Sequence, residues 1–430
     1  KIGAFGNEMG GMRVRDSTSY SILPLRKRAE VRSRWLARRL DEILPQIMKR
    51  ESFDMWIVSA REYNEDPVIM TLLPPEMLSA RRRTILVFYL PEEGEMERMI
   101  LSRYDVPRLY RGVWDPDVQQ QWECLARLIR ERDPRRIGVG VSRTFAFGDG
   151  LTHSEYVQLI DALDAPYSDR IEGGEHLALG WLERRLPAEM QAYSRIVEIA
   201  HSMIAEAFST RVIHPGITTT EDVQWWFRQR IHDLGLSAWF HPSVSIQAHG
   251  LGFREDGRRQ IRPGDLLHCD VGLKYLGLAT DTQQLGYVTR LGESEVPPGL
   301  REGLARGNRL QEILAGEFIA GRSGNEILDR ALKRAEEEGL VASIYTHPIG
   351  YHGHGAGPTI GLWDMQGGVP GKGDYQLFDD TCHAMELNVT HKVSEWSGQD
   401  VVFALEQDVL FTGGEVHYLA GRQTDFHLIG

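Results

Sequence analysis

The chain has 430 residues, of which 42% are hydrophobic and 26% charged, with a formal net charge of −12. That balance fits two globular domains rather than disorder or a fibre. It argues against a nucleic-acid partner, which needs a basic face, and against anionic membranes, and no apolar run approaches the roughly 18 residues of a membrane span. Cys124, Cys269 and Cys382 lie far apart with no Cys-x-x-Cys pair, so neither a disulfide framework nor a thiolate zinc site is implied. The expected compartment is cytoplasmic; the alternative is export after removal of a signal peptide that this numbering does not include.

The first part alternates helical and strand-like segments. Leu25 to Lys49 has helical spacing, and DMWIVSA (54–60), RTILVFYL (83–90) and RRIGVGVS (135–142) read as short strands. An α/β domain over residues 1–172 follows. Arg81 to Arg83 reads as a solvated charged face. DAPYSDRIEGGE (164–175) is the linker candidate, and 173–430 forms the second domain. That domain opens with an amphipathic helix over Pro187 to Thr210.

Inside the second domain a pattern recurs. PGITTTEDVQWWFRQRIHDLGLSAWFHP (215–242) and AGRSGNEILDRALKRAEEEGLVASIYTHP (320–348) each hold a glycine, a capping signal, a helix, a Gly-Leu stop and a strand ending in His-Pro. The capping signals are Thr218 with Glu221 and Ser323 with Glu326. Coincidence between two ordinary helix–strand units is the plainer explanation. The ordered recurrence favours a duplicated half-domain, which would place His241 and His347 in related positions around a central cleft.

LLHCDVGLKYLGLATDTQQLGYV (266–288) reads as two strands around a turn near Tyr275–Gly277. A turn centred between 275 and 276 sets Asp270 directly opposite Asp281, both on one face. Two carboxylates that close repel unless a cation lies between them. Glu386 in HAMELNVT and Glu406 in VVFALEQDVLF each interrupt an apolar strand, and a buried carboxylate requires a partner: a metal, an arginine or a hydrogen-bond network. THPIGYHGHGAGPTIG (346–361) carries His347, His352 and His354 among glycines that permit tight backbone. A phosphate-loop reading fails, because no G-x-G-x-x-G strand–helix context or Gly-Lys-Ser/Thr is present, and Lys372 in GGVPGKG is followed by Gly373. Four carboxylates and an imidazole form an oxygen-rich set that favours Mn²⁺, with Co²⁺, Fe²⁺ or Zn²⁺ as alternatives. A pair of such ions can activate water at neutral pH.

These residues resemble the creatinase, prolidase and aminopeptidase P family. The eleven residues from Asp270 to Asp281, His354 followed by Gly357, the spacing of seven from His347 to His354, and the positions of Glu386 and Glu406 carry the resemblance. It implies a creatinase-type N-terminal α/β domain followed by a pita-bread domain with pseudo-twofold halves, an α/β (α+β) architecture. It further implies two divalent metals on Asp270, Asp281, His354, Glu386 and Glu406, and cleavage of Xaa-Pro or related short-peptide bonds through a metal-bridging hydroxide. Glu386 would move the proton, His347 would meet the substrate carbonyl or oxyanion, and His249 would be the substrate histidine before the first aspartate. His241 and His352 are further pocket candidates, and a homodimer is expected. Departures fall at Gln283 and Gln284 (family Thr-Arg-Thr), Ala404 (arginine), Gly361 (histidine) and Leu387 (proline). They leave the ligand set whole and alter the substrate pocket. Two alternatives remain open: a creatinase-like hydrolase or lyase of a non-peptide small molecule, and a non-catalytic binding module.

Overall fold

The computed structural model describes residues 22–254 and 258–430. Met55–Arg61 is buried at every position except Arg61, as expected for a strand covered on both faces. It lies inside a mixed sheet whose order is Arg111–Gly112, Glu97–Leu101, Arg83–Tyr89, Met55–Arg61, Ile137–Val139 and Ile171–Gly173. The three predicted strands are thus present, the last one shorter than expected. The predicted N-terminal helix is also present. It runs Leu25–Arg38, passes through a π-helical turn at Arg39–Ile43 and continues as Leu44–Arg50. Arg81 and Arg82 are solvated as expected, but Arg83 reaches inward, its Nε 2.8 Å from the buried Glu155 carboxylate.

The segment expected to be a linker is part of the sheet. Ile171–Gly173 pairs in parallel with Ile137–Val139, so a division after residue 172 would cut an edge strand. Turn-forming residues on either side concealed three residues whose backbone completes the ladder. The helix Glu175–Glu183 then packs on the first domain.

The second domain is built on a ten-stranded sheet. Its main path runs Val341–Ile344, Thr381–Val393, Gln399–Thr412, Thr282–Val288, Leu266–Val271, Ser243–Ala248 and Leu251–Arg254. The expected duplication is visible in this order. Helix Thr220–Asp233 leads to the strand Ser243–Ala248 and then to the hairpin of Leu266–Val271 with Thr282–Val288, whereas the expected strand ending at His241-Pro242 is only Ser237–Ala238 and lies in a separate three-stranded sheet. Helix Gly324–Glu337 leads to Val341–Ile344 and then to the hairpin of Thr381–Val393 with Gln399–Thr412. The hairpins meet along a seam where Gln283 faces Glu406. Ser323 and Glu326 cap the second helix as predicted. In the first, the cap is Thr219 with Asp222, one residue later than Thr218 with Glu221, because the chain has three consecutive threonines to choose from.

One face of this sheet is covered by helices. Phe403 and Leu405 are buried with Leu300 and Leu304 of the helix Pro298–Glu317. Leu267, Cys269 and Val271 are buried with residues of Pro187–Ala207, the predicted amphipathic helix. Since side chains alternate along a strand, Asp270 and Glu406 project from the other face.

A buried ion cluster joins the domains. Arg39, from the π-helical turn, lies 2.8 Å from Glu189 in the first turn of Pro187–Ala207, and both side chains are fully buried. The Tyr351 hydroxyl donates to Glu189 at 2.9 Å, and the guanidiniums of Arg39 and Arg185 lie 5.1 and 4.7 Å from the Tyr351 ring centre.

Candidate metal centre

The open face of the seam carries its acids in two rows. In the first, Asp270 is paired with Gln283, Gln283 with Glu406, and Glu406 with Glu386. In the second, two residues along the same strands, stand Asp281, Asp408 and Ala384, with His347 paired to Ala384. The aspartates therefore share a face as expected, but on a diagonal rather than directly opposed. The hairpin turns at Leu276–Gly277, both with positive φ, between the paired residues Tyr275 and Leu278. A two-residue loop of that type matches the twist of the flanking strands and moves the register by two residues. A leucine in the left-handed region gives no signal of this in the sequence.

Among the described residues, the group whose ligand atoms come within 4.8 Å of one another is Asp281, His347 and Glu406. His347 Nε2 lies 3.5 Å from Asp281 and 3.4 Å from Glu406. Its Nδ1 lies 3.1 Å from the Pro348 carbonyl oxygen, which can only accept, so Nδ1 carries a proton and Nε2 faces the acids; burial works to lower the imidazole's pKa, but Glu406 and Glu386 raise it overall. Asp281 Oδ1, Glu406 Oε1 and His347 Nε2 are buried without a hydrogen-bond partner.

Such a set is unstable as bare charge. Burial, then Glu406, Asp270, Asp408 and Glu386, push the Asp281 carboxyl well above the usual carboxylate range. Burial and then Glu406 push Glu386 up to about 9. Divalent cations among these oxygens would reverse that penalty. The orphaned atoms, the oxygen-rich donor set and the bare imidazole nitrogen all fit a metal site.

The remaining histidines separate. The His354 ring lies 4.7 Å from that of His347, with Nε2 3.3 Å from the Tyr345 hydroxyl, on the exposed side of the cluster. It is not in the group of three; His347, expected to face substrate, takes that place. His352 stacks on Phe147 of the first domain at 4.5 Å, and burial lowers its pKa to about 4. His241 is exposed beside Trp225, and His249 is exposed with Nε2 3.3 Å from the Ser397 hydroxyl; neither joins the acids. The expected symmetry of His241 and His347 around the cleft therefore fails.

Two polar residues of this face, Asp408 and Tyr345, went unnoticed in the sequence, and a third, Gln283, was noted only as a departure from the family. Asp408, 1% exposed, accepts the Asp281 backbone N–H at 3.2 Å. Gln283 donates to Glu386 at 2.8 Å. Tyr345, beside Glu386 through its backbone N–H, carries its hydroxyl to His354. Asp408 and Tyr345 lie two residues from Glu406 and His347, so the strand period was the available signal. Trp239 forms a wall of the site. A Cβ on Gly272 or on Gly353 would fall 2.2 Å from it, so only glycine admits the indole at either position.

Comparison with known proteins agrees with this geometry. The chain takes the fold of an X-Pro aminopeptidase from Thermotoga maritima, with a TM-score of 0.63 and 15% identity over 89% of this chain and 99% of that one. It likewise matches an Xaa-Pro dipeptidase from Bacillus anthracis, with a TM-score of 0.62 and 16% identity over 92% of this chain and all of that one. These are pita-bread structures with N- and C-terminal domains, as the resemblance implied. The sequence profile of metallopeptidase family M24 covers residues 188–412, and the chain belongs to that family. A Mycoplasma pneumoniae protein provisionally named an Xaa-Pro aminopeptidase is 27% identical over 159 residues, which is 37% of this chain and 42% of that protein. Among the described residues no helix is long and apolar enough to cross a membrane.

Proposed function

We propose that the chain is a dinuclear metal-dependent peptidase acting on Xaa-Pro or related short-peptide bonds, with Asp270, Asp281, His347, Glu386 and Glu406 as its ligands. The observation that carries this reading is the bare, buried Nε2 of His347 aimed at Asp281 and Glu406. It exchanges the roles expected for two histidines: His347 becomes the ligand and His354 faces substrate. Bound divalent ions, with Mn²⁺ favoured by the oxygen-rich donors, supply an activated water and polarise the scissile carbonyl. Glu386, held by Gln283, accepts the proton from water and passes it to the leaving nitrogen. His354, steadied by Tyr345, donates to the developing oxyanion from the open side. The relatives' names support Xaa-Pro peptides as the substrate class. Gln283 and Ala404, in place of the family arginines, supply no positive charge to a substrate carboxylate. The homodimer expected from the resemblance is tested by sedimentation.

The decisive experiment assays Xaa-Pro dipeptides and longer Xaa-Pro peptides with added Mn²⁺, alongside Glu386→Ala and a measurement of bound metal. Turnover is expected in the wild type, and the variant is expected to lose about 10²–10⁴-fold. Undiminished turnover in Glu386→Ala would refute the assignment. Activity confined to small amides or guanidino compounds would move the chain to the creatinase-like alternative.

A further inference from the structure

We infer that Ser245, His268 and Gln283 form a hydrogen-bonded relay that fixes the orientation of the Glu386 carboxylate, which makes Gln283 and His268 positioning residues of the metal centre. The functional meaning of this relay rests on the metallopeptidase reading above; its geometry does not.

The relay spans five neighbouring strands on the face that carries the acids, its last link passing over the strand Gln399–Thr412. The Ser245 hydroxyl lies 3.2 Å from His268 Nδ1, His268 Nε2 lies 2.8 Å from Gln283 Oε1, and Gln283 Nε2 lies 2.8 Å from Glu386 Oε1. Ser245 is opposite His268 in the ladder, Gln283 is opposite Asp270 and so diagonal to His268, and Gln283 and Glu386 both face Glu406 from its two sides. Ser245, His268 and Gln283 are 0%, 4% and 5% exposed, so water does not compete for these bonds.

Every proton in the relay has one consistent direction. The Gln283 amide presents its NH₂ group to Glu386 Oε1, which accepts when Glu386 is ionised and equally when its proton is carried on Oε2. That turns the Gln283 carbonyl oxygen towards His268, whose Nε2 must then carry the hydrogen. His268 Nδ1 is left as an acceptor for the Ser245 hydroxyl. A glutamine here does what the family arginine cannot: it donates to Glu386 without adding charge and takes its own orientation from a histidine. The plainer account is a buried histidine satisfied for stability alone. That account predicts no effect on metal affinity beyond loss of fold.

The test uses the full chain. In metal-free protein labelled with ¹⁵N-histidine, His268 is expected in the Nε2–H tautomer, and Gln283→Leu is expected to disturb it. Calorimetric titration with Mn²⁺ should show binding weakened by about 10–100-fold in Gln283→Leu and His268→Leu. His268→Gln, which restores an N–H near the position of Nε2, should recover much of that loss. With an Xaa-Pro dipeptide and saturating Mn²⁺, kcat should fall while KM holds. Thermal melts check that each variant folds. A His268 in the Nδ1–H tautomer, or Mn²⁺ binding in folded Gln283→Leu equal to the wild type, overturns the relay. A wild type with the expected tautomer but no affinity for Mn²⁺ leaves the relay standing and sinks the metallopeptidase reading instead.

Discussion

The two halves of the second domain share a plan and divide the polar cluster unequally. Each supplies a helix, a strand flanking the hairpin and the hairpin itself, and the two hairpins abut at Gln283 and Glu406. The first half contributes Asp270 and Asp281 together with the Ser245–His268–Gln283 chain behind Glu386. The second contributes both glutamates, Asp408 and the inward histidine. Where the sequences match most closely, at His241-Pro242 and His347-Pro348, the outcomes differ most. His347 is 3% exposed against two carboxylates, whereas His241 stands in solvent beside Trp225. Duplication accounts for the scaffold. The reactive set depends on which side chains point into the seam, and that is decided separately in each half.

Exchanging the matched histidines for alanine would break or sharpen this comparison most directly. His347→Ala should weaken Mn²⁺ binding at least 10²-fold, and His241→Ala should leave it unchanged; calorimetry on both variants decides. Equal losses would restore a symmetric site.

A smaller effect is expected where the first domain braces both halves. Arg39→Met leaves Glu189 with one buried cation fewer, and breaking such a pair by removing one partner costs about 3–5 kcal/mol. Arg185, 3.9 Å from Glu189, should hold the loss to the lower end of that range. Denaturant unfolding of the variant measures it, and a loss below about 1 kcal/mol would show that the brace is unimportant.

The smallest effect concerns Glu183, which is buried like Glu189 but less well paired. Burial raises its carboxyl from the ordinary 4.5 to about 7, in spite of Arg50 and the Tyr375 hydroxyl. The folded chain thus holds this proton more tightly than the unfolded chain. Stability should decline as pH rises from 4.5 to about 7 and level off above that. Glu183→Gln removes the decline, so melting at pH 5 and pH 8 should differ less in the variant, by roughly 2–4 °C. Parallel pH profiles would contradict the shift.

Much of this was legible in the sequence because acids inside apolar strands are conspicuous. Glu386 and Glu406 were found that way, and so were the strands of the first sheet and the helix–strand repeat. What stayed hidden depended on register. The offset of Asp270 from Asp281 follows from Leu276 accepting a positive φ, a conformation that a leucine does not advertise. The identity of the inward histidine follows from His347 pairing with Ala384, two residues from Glu386, and THPIGYHGHG offers three histidines without saying which one joins a ladder. The edge strand Ile171–Gly173 was hidden because its hydrogen bonds, rather than its side chains, define it. Asp408 could have been read from its two-residue step beyond Glu406.

The buried cluster of Arg39, Glu189, Arg185 and Tyr351 bears on where this protein can be cut. The family profile begins at residue 188, but Glu189 is neutralised in part by a residue 150 positions upstream. A fragment started at that point would carry a stranded carboxylate and a bare apolar flank at its first helix, and the Tyr351 hydroxyl would lose a settled anchor three residues before His354. The portion matched by the family profile therefore takes part of its buried interior from the residues before it.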